Sequence, residues 1–429
     1  MMFVNSQDND FGTKFEELLG RGKMDIATVS GIVGKIITQI KQDKNKALKE
    51  HIAKFDKWTP VSDADLKIAP ESMQKAYKNL DAKLKEALHV AYDRIKAYHE
   101  KQKPKSWFDT EANGTILGQK VTPVDSAGLY IPGGKAAYPS SLLMNVIPAQ
   151  VAGVKQIIVC TPTPDNEPNG LLLAACHLCG VTEVFKVGGA SAIAAMAYGT
   201  ENIPKVDVIT GPGNIFVATA KKMVFGDVNI DMIAGPSEIG ILADASANAN
   251  HIAVDLLSQA EHDEMASSIL ITPSQPLADA VKVEIENWLQ KLSREEIARK
   301  SIEERGAIIV TKDMDEAIEL MNEIAPEHLE VVTTSPFDLL PYIKHAGAIF
   351  LGHNTPEAIG DYIAGPNHTL PTGGTAKFYS PLGVENFMKK SSIISFSAQA
   401  IHECGQECAL IANTEGLTAH EASVRVRLK

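Results

Sequence analysis

Gln259 and His262 stand one helical turn apart in the segment Leu256-Leu-Ser-Gln-Ala-Glu-His262, on the inner edge of an otherwise apolar helix. A helix presents two metal ligands in this way, an amide oxygen beside an imidazole. Asp361 and His420 lie far downstream, and Pro326-Glu327-His328 and Pro366-Asn367-His368 fall between. One carboxamide oxygen, two imidazoles and one carboxylate make a mixed N/O set acceptable to zinc. A neutral Gln ligand adds little charge, so a site with a single carboxylate stays net positive and receptive to amine or imidazole donors from a substrate. Each residue also has an ordinary alternative. A helix Gln can be solvated, a His can be satisfied structurally, and Asp361 can cap a turn after Gly360.

Glu327 and His328 adjoin each other in Ala325-Pro-Glu-His-Leu-Glu330, immediately before a strand. Pro326 stiffens the approach, so both side chains can be held in place. His accepts protons near neutral pH and Glu can activate water, which suggests an acid/base pair beside the metal. A helix-to-strand loop with a solvated Glu and a partly buried His is the competing reading. His368 lies in Gly365-Pro-Asn-His-Thr-Leu-Pro-Thr-Gly-Gly374, a constrained loop that either shapes a pocket or forms a structural turn. Eight of the twelve histidines follow residue 250, which favours a cluster without naming its members.

The elements that must position these residues form a two-part pattern. The first ~130 residues read mainly as helix, with Lys/Ala/Leu-rich stretches near 26–55 and 70–103 and a short β region around Asn113-Gly114. From Gly128-Leu-Tyr-Ile-Pro-Gly-Gly134 onward, β-rich runs at 156–160, 183–187, 206–210 and 239–243 alternate with helix-length segments. A second series follows at 268–272, 307–310, 329–333 and 348–351. Alternation of this kind marks βαβ units around parallel sheets, so two similar α/β sheets are expected. Beyond about residue 382, a strand-like run at 392–396, a helix and a short tail read as an appendage that packs on something else.

Strands of the first series end in glycine at Val187-Gly-Gly-Ala-Ser191, Thr210-Gly-Pro-Gly-Asn214 and Ala234-Gly-Pro-Ser237. Glycine there lets backbone N–H groups approach a phosphate, and the next helix supplies a positive N-terminus. Doubly wound sheets bind ligands at such ends. None of the loops is a G-x-G-x-x-G fingerprint, and tight βα turns explain each one alone; three together, with Tyr130 nearby, keep a dinucleotide in view.

A chain of 429 residues is too long for one ordinary core, and 45% hydrophobic against 22% charged residues describes a globular enzyme. A formal charge of −12 without a dense basic stripe argues against nucleic acid as a partner. Mean hydropathy is −0.05, no apolar run reaches bilayer length, and the N-terminus lacks a secretory pattern, so a cytoplasmic enzyme without membrane contact is expected. Five cysteines in such a chain imply reduced thiols. Cys176 and Cys179 read as core thiols within an apolar run, and Cys404 and Cys408 are helix-spaced with no second ligand pair.

Seven segments in one order now carry a resemblance: Gly128 to Gly134, Gly211-Pro-Gly-Asn214, Ala234-Gly-Pro-Ser-Glu238, Leu256 to His262, Ala325 to Glu330, Gly365-Pro-Asn-His368 and Asn413-Thr-Glu-Gly-Leu-Thr-Ala-His420. From about residue 30 to its end the chain resembles the histidinol dehydrogenase family, zinc- and NAD-dependent enzymes that complete histidine biosynthesis. The resemblance implies a homodimer built from two incomplete Rossmann-like domains with parallel-rich sheets, one inserted in the other, plus small N- and C-terminal extensions. The expected division is 1–24 as N-terminal extension, 25–129 with 239–381 as zinc and substrate domain, 130–238 as inserted NAD domain, and 382–429 as dimerisation domain.

By the same resemblance, zinc is held by Gln259, His262, Asp361 and the partner's His420. It grips the amino and imidazole nitrogens of L-histidinol. His328 is implied as general base and Glu327 as the residue that activates water to hydrate L-histidinal, giving a four-electron oxidation to L-histidine with two NAD. Ser237, His368 and Glu415 match substrate contacts, as do the zinc residues and His328. Tyr130, Ser191 and Asn214 match NAD contacts. One departure stands out: the family's Gly-Gly-Ala-Gln is here Gly188-Gly-Ala-Ser191, so a side-chain contact to NAD is expected to be shortened. A paralogue that oxidises another small alcohol, a zinc hydrolase using Glu327, and a non-catalytic binding protein are the rival readings.

Overall fold

A computed structural model describes residues 1–21, 26–133 and 138–429. The expected boundary at residues 24 and 25, and Gly134 of the first glycine-rich segment, lie outside them. The described strands begin with β1 (Met2–Asn5), β2 (Trp107–Thr110), β3 (Ile116–Pro123), β4 (Ser126–Tyr130), β5 (Gln156–Thr161), β6 (Glu183–Lys186) and β7 (Val208–Thr210). They continue with β8 (Asn229–Ile230), β9 (Glu238–Ala243), β10 (Ser267–Thr272), β11 (Ala307–Val310), β12 (His328–Val332), β13 (Ala348–Leu351) and β14 (Met388–Ser395).

Two parallel sheets result. The first has the order β6-β5-β4-β7-β8 and the second β1-β11-β10-β9-β12-β13. In each, the first strand of the alternating series is central and the chain winds outward to one side, then the other. That is five of the six strands of a Rossmann sheet, with β1 added at an edge of the second. The five-stranded sheet falls in the chain between β1 and β9, as expected for an insertion. Every residue of β9, β10 and β12 is buried, the pattern of strands covered by helices on both faces.

Three findings depart from the sequence reading. Ile239–Ala243 belongs to β9, the central strand of the second sheet, and not to the first series; its apolar pattern cannot tell which sheet it joins. Met2–Asn5, within the expected N-terminal extension, is a strand, pairing in parallel with β11. The helices Ile26–Phe55 and Ala82–Gln102 pack on the five-stranded sheet, through Val33, Ile40 and Leu48 on one face and Leu88 and Ile95 on the other. The segment 25–129 therefore adds no strand to the six-stranded sheet.

A third sheet, β14-β3-β2, is antiparallel and ties residues 388–395 to 116–123. Beyond it, helices Ala398–Thr414 and Thr418–Arg425 pack on each other and leave Leu410, Ile411, Leu417 and Val426 exposed. Among the described residues, no helix is long and apolar enough to cross a membrane.

Candidate functional site

Local sequence brings five of the expected residues together at the amino ends of β9 and β12. Helix Ala249–Ala260 connects β9 to β10 and runs against the strands, so its last turn returns Gln259 to that edge, with His262 just beyond. Helix Met314–Ile324 ends at Ala325, a non-glycine residue with φ 51°, and Pro326 then turns the chain into β12. This left-handed residue next to two candidate catalytic groups is strain that the surrounding packing must sustain. Gly240 makes the approach feasible, because a Cβ there would lie 2.9 Å from Pro326 Cγ and 2.6 Å from Met321 Sδ. After β13, a single wide turn over Gly360–Ala364 carries Asp361 back to the same edge. Arg94 clamps that turn, its Nε donating to the Ile363 carbonyl at 2.6 Å.

The Glu238 backbone organises the centre. Its N–H donates to Glu327 Oε2 at 3.0 Å, and its carbonyl lies 3.2 Å from His328 Nδ1. A carbonyl can only accept, so Nδ1 carries a proton and Nε2 is the atom at which the ring gains or loses its second one. Nε2 is buried without a hydrogen-bond partner and stands 3.4 Å from Asp361 Oδ1. His368 Nε2 is likewise buried and unpartnered, while its Nδ1 lies 3.8 Å from Asp361. Two orphaned imidazole nitrogens beside a carboxylate suit a ligand that supplies what they lack.

Burial dominates the electrostatics. It pushes Glu327 up to about 8, and Glu238 and Glu357 up to about 7, against the favourable effect of His328 on each. Burial by itself would lower His328, but Glu357, Glu327 and Asp361 more than reverse it and hold the imidazole well above its usual range. Burial would raise Asp361; His328, His368 and His262 instead hold it below the ordinary carboxylate range. His262 is lowered, by burial first, with Asp361 opposing.

Ligand atoms of His262, Glu357 and Asp361 lie within 4.8 Å of one another, a spacing an ion bound at roughly 2 Å can draw together. With Gln259 beside them the donors are oxygen and imidazole nitrogen, a set that fits zinc. His328, Asp361 and His368 line one side of a cavity of about 1040 Å³ that also meets Tyr98, Tyr379 and Asn386. Ser237 precedes β9 and its carbonyl accepts from the Ser267 N–H at 2.9 Å.

The arm residues stand apart. Glu415 and His420 are exposed, and among the described residues no hydrogen bond or ion pair joins them to the cluster. Cys176 and Cys179 are buried thiols pushed upward by burial, and Cys404 and Cys408 are exposed on the arm.

The expected dinucleotide contacts sit at the other sheet. Tyr130 ends β4, accepts from the Gly189 N–H at 3.2 Å, and is pushed up to about 12 by burial. Asn214 caps helix Ile215–Val224 with its oxygen, accepting at 3.1 and 3.3 Å, which leaves its NH2 for a ligand. Ser191 is buried and its hydroxyl lies 2.8 Å from His51 Nδ1, whose Nε2 is 3.0 Å from Gln39 Oε1. Gln39 Oε1 only accepts, so Nε2 carries the proton and Ser191 donates to Nδ1. The shortened side chain is thus occupied by His51. Ala234-Gly-Pro-Ser237 leads into β9 and is no strand end of the five-stranded sheet.

Glu357, Glu238 and Asn367 were not singled out from sequence. Thr355-Pro-Glu357 repeats the Pro-Glu pair of 326–327, a signal that was available. Asn367 anchors the His368 loop by donating to the Met144 carbonyl at 2.6 Å.

Comparison with known proteins shows the family to which the chain belongs. The family model described as histidinol dehydrogenase matches residues 19–428. The histidinol dehydrogenase of Sulfurimonas denitrificans is 82% identical over 428 residues and that of Wolinella succinogenes 69% over 425, covering 100% and 99% of this chain and 100% and 98% of theirs. The crystal structure of histidinol dehydrogenase from Elizabethkingia anophelis superimposes with a TM-score of 0.94 at 34% identity, covering 100% of this chain and 98% of that one.

Proposed function

From the chain's membership of the histidinol dehydrogenase family, oxidoreductases of the final step of histidine biosynthesis, we propose that it oxidises L-histidinol through L-histidinal to L-histidine, using zinc and two NAD. The observation that carries this reading is the convergence of His328 and Glu327 on one edge with Gln259, His262 and Asp361. A one-step alcohol dehydrogenase has no use for a second buried base beside the first.

In this reading His328 removes the alcohol proton. The Glu238 carbonyl keeps a proton on Nδ1, so Nε2, once its own proton has left, is the atom that accepts from the substrate. Glu327, anchored by the Glu238 N–H, takes a proton from water as it adds to the aldehyde. His328 returns its proton to the aldehyde oxygen as the hydrate forms, and is then free to accept the proton released in the second oxidation. Gln259, His262 and Asp361 would hold zinc, which when bound fixes the substrate's amino and imidazole nitrogens, and NAD when bound supplies the hydride acceptor. Ser237, His368 and Glu415 would contact substrate, and Tyr130 and Asn214 would contact NAD.

The exposed apolar face of the arm supports a homodimer. A pair of helices with Leu410, Ile411 and Val426 in water is better explained by a neighbouring subunit, whose site the partner's His420 would complete. A cytoplasmic setting accords with the free thiols.

The deciding experiment counts NADH formed per L-histidinol consumed, with zinc supplied. Two equivalents are expected. One equivalent or none overturns the four-electron reading.

A further inference from the structure

A glutamine can serve as a metal ligand only through its oxygen, yet its amide has nearly the same shape in either orientation. Something must decide which atom is presented. At Gln259, 1% exposed on the last turn of its helix, two neighbours of opposite character make that choice. The ionised carboxylate of Glu357 can only accept, and with the amide turned so that its NH2 faces Glu357, Gln259 donates to both oxygens, at 3.1 Å to Oε2 and closer to Oε1. The Glu238 N–H can only donate, and in the same orientation it lies 2.9 Å from the Gln259 oxygen, shared with Glu327 Oε2. The reverse orientation sets oxygen against oxygen at Glu357 and N–H against N–H at Glu238.

Glu357 is itself held. It is 3% exposed, and its backbone N–H donates to Glu330 Oε1 at 2.8 Å. Glu330, 1% exposed on β12, faces the Asp255 carboxyl, and burial and Asp255 together push Glu330 well up, so the protonated Glu330 can donate to Asp255. Asp255 lies four residues before Gln259, on the same face of the same helix. The contacts therefore close a ring from helix Ala249–Ala260 through Gln259, Glu357, Glu330 and Asp255 back to the helix.

We propose that Glu357, braced by Glu330 and Asp255, is the positioning residue that locks the Gln259 amide with its oxygen available to the metal. The inference rests on the zinc reading above, and it gives Glu357 a task distinct from ligation. Groups that orient a ligand from behind are commonly worth 10–100-fold in metal affinity.

The test uses the full-length protein and zinc alone, with affinity read by chelator competition and geometry by the absorption bands of the cobalt-substituted protein. Wild type that fails to bind zinc refutes the zinc reading itself. If wild type binds, Glu357→Gln, whose amide no longer discriminates, should weaken zinc by about 10–100-fold and alter the cobalt bands. Gln259→Glu carries a ligand that presents oxygen in either orientation, so adding Glu357→Gln in that background should cost much less zinc affinity than it does with Gln259 in place. Unchanged affinity in Glu357→Gln overturns the proposal, as does an equal loss in both backgrounds, or a Glu357 oxygen at bonding distance in a zinc-loaded structure. Should Glu357→Gln not fold, the zinc-loaded wild-type structure decides alone: Glu357 on the Gln259 NH2 supports the lock, and Glu357 on the metal refutes it.

Discussion

Asp231 carries a large stability load at the seam between the two sheets. Its carboxylate forms an ion pair with Lys221, with side chains 0% and 3% exposed, and it accepts from the backbone N–H groups of Gly211 at 2.8 Å and Met232 at 2.6 Å. Lys221 also donates to the Gly211 carbonyl at 3.0 Å. Asp231→Asn keeps an acceptor for Gly211 but leaves an ammonium buried without its counter-ion. Removing one partner of such a pair costs about 3–5 kcal/mol. At roughly 2.1 cal/mol/K per residue, cooperative unfolding of 429 residues has an entropy near 0.9 kcal/mol/K, so Tm should fall by about 3–6 °C. Thermal and urea unfolding of the variant check this directly. Adding Lys221→Met removes the stranded charge, and the double variant should regain at least half of the loss, because a buried pair is often nearly neutral against an apolar replacement. A double variant as unstable as Asp231→Asn, or a single variant within about 1 °C of wild type, would refute the argument.

Two further predictions concern catalysis and pH. His328→Asn keeps a donor near the Glu238 carbonyl but removes the basic nitrogen, so turnover should fall by about 10²-fold or more, while zinc content measured by atomic absorption stays normal; loss of zinc would assign His328 another role. Asp56 is buried and its carboxyl is pushed up to about 6 by that burial, with a hydrogen bond from Thr163 opposing. A pKa raised on folding favours the protonated form, so its contribution is full below about pH 4 and is lost as pH rises through about 6. The shift corresponds to about 3 kcal/mol, or ~1–2 kcal/mol after solvent screening. Asp56→Asn should therefore gain stability relative to wild type between pH 4 and 7 in urea unfolding, and a pH-independent difference would exclude the titration.

The strands were legible because a parallel sheet buries both faces and so writes continuous aliphatic runs such as Ile269-Leu270-Ile271 and Ile308-Ile309. That Gln259, His262, Glu327, His328 and Asp361 converge was legible because each is a donor or titratable side chain in an otherwise apolar or Pro/Gly-bounded segment. Partner choice was not. Nothing in the Lys/Ala/Leu pattern of 26–55 tells that Ile40 and Leu48 pack on the five-stranded sheet, since any apolar face would accept them. Glu357 and Glu330 look like surface carboxylates until the fold buries them, and Ser191 shows its occupied hydroxyl only once His51 arrives from 140 residues away.

Placement of the site at one edge was also hidden, and the connection between the sheets explains it. Doubly wound sheets bind ligands at the carboxyl ends of their strands, and the loops after β4 and β7, proposed above to meet NAD, lie at such ends. The cluster proposed to hold zinc and the acid/base pair instead lies at the amino ends of β9 and β12. Between the carboxyl end of β8 and the amino end of β9 the chain has only residues 231–237. Seven residues reach at most about 25 Å. The carboxyl edge of the first sheet is therefore forced near the amino edge of the second. Asp231 pins one end of that link to Gly211, in the glycine loop after β7. Glu238 pins the other, its backbone engaging Glu327, His328 and Gln259. A hydride acceptor and its donor must meet, and a short link joining opposite strand ends satisfies that requirement where two sheets used at the same end would not.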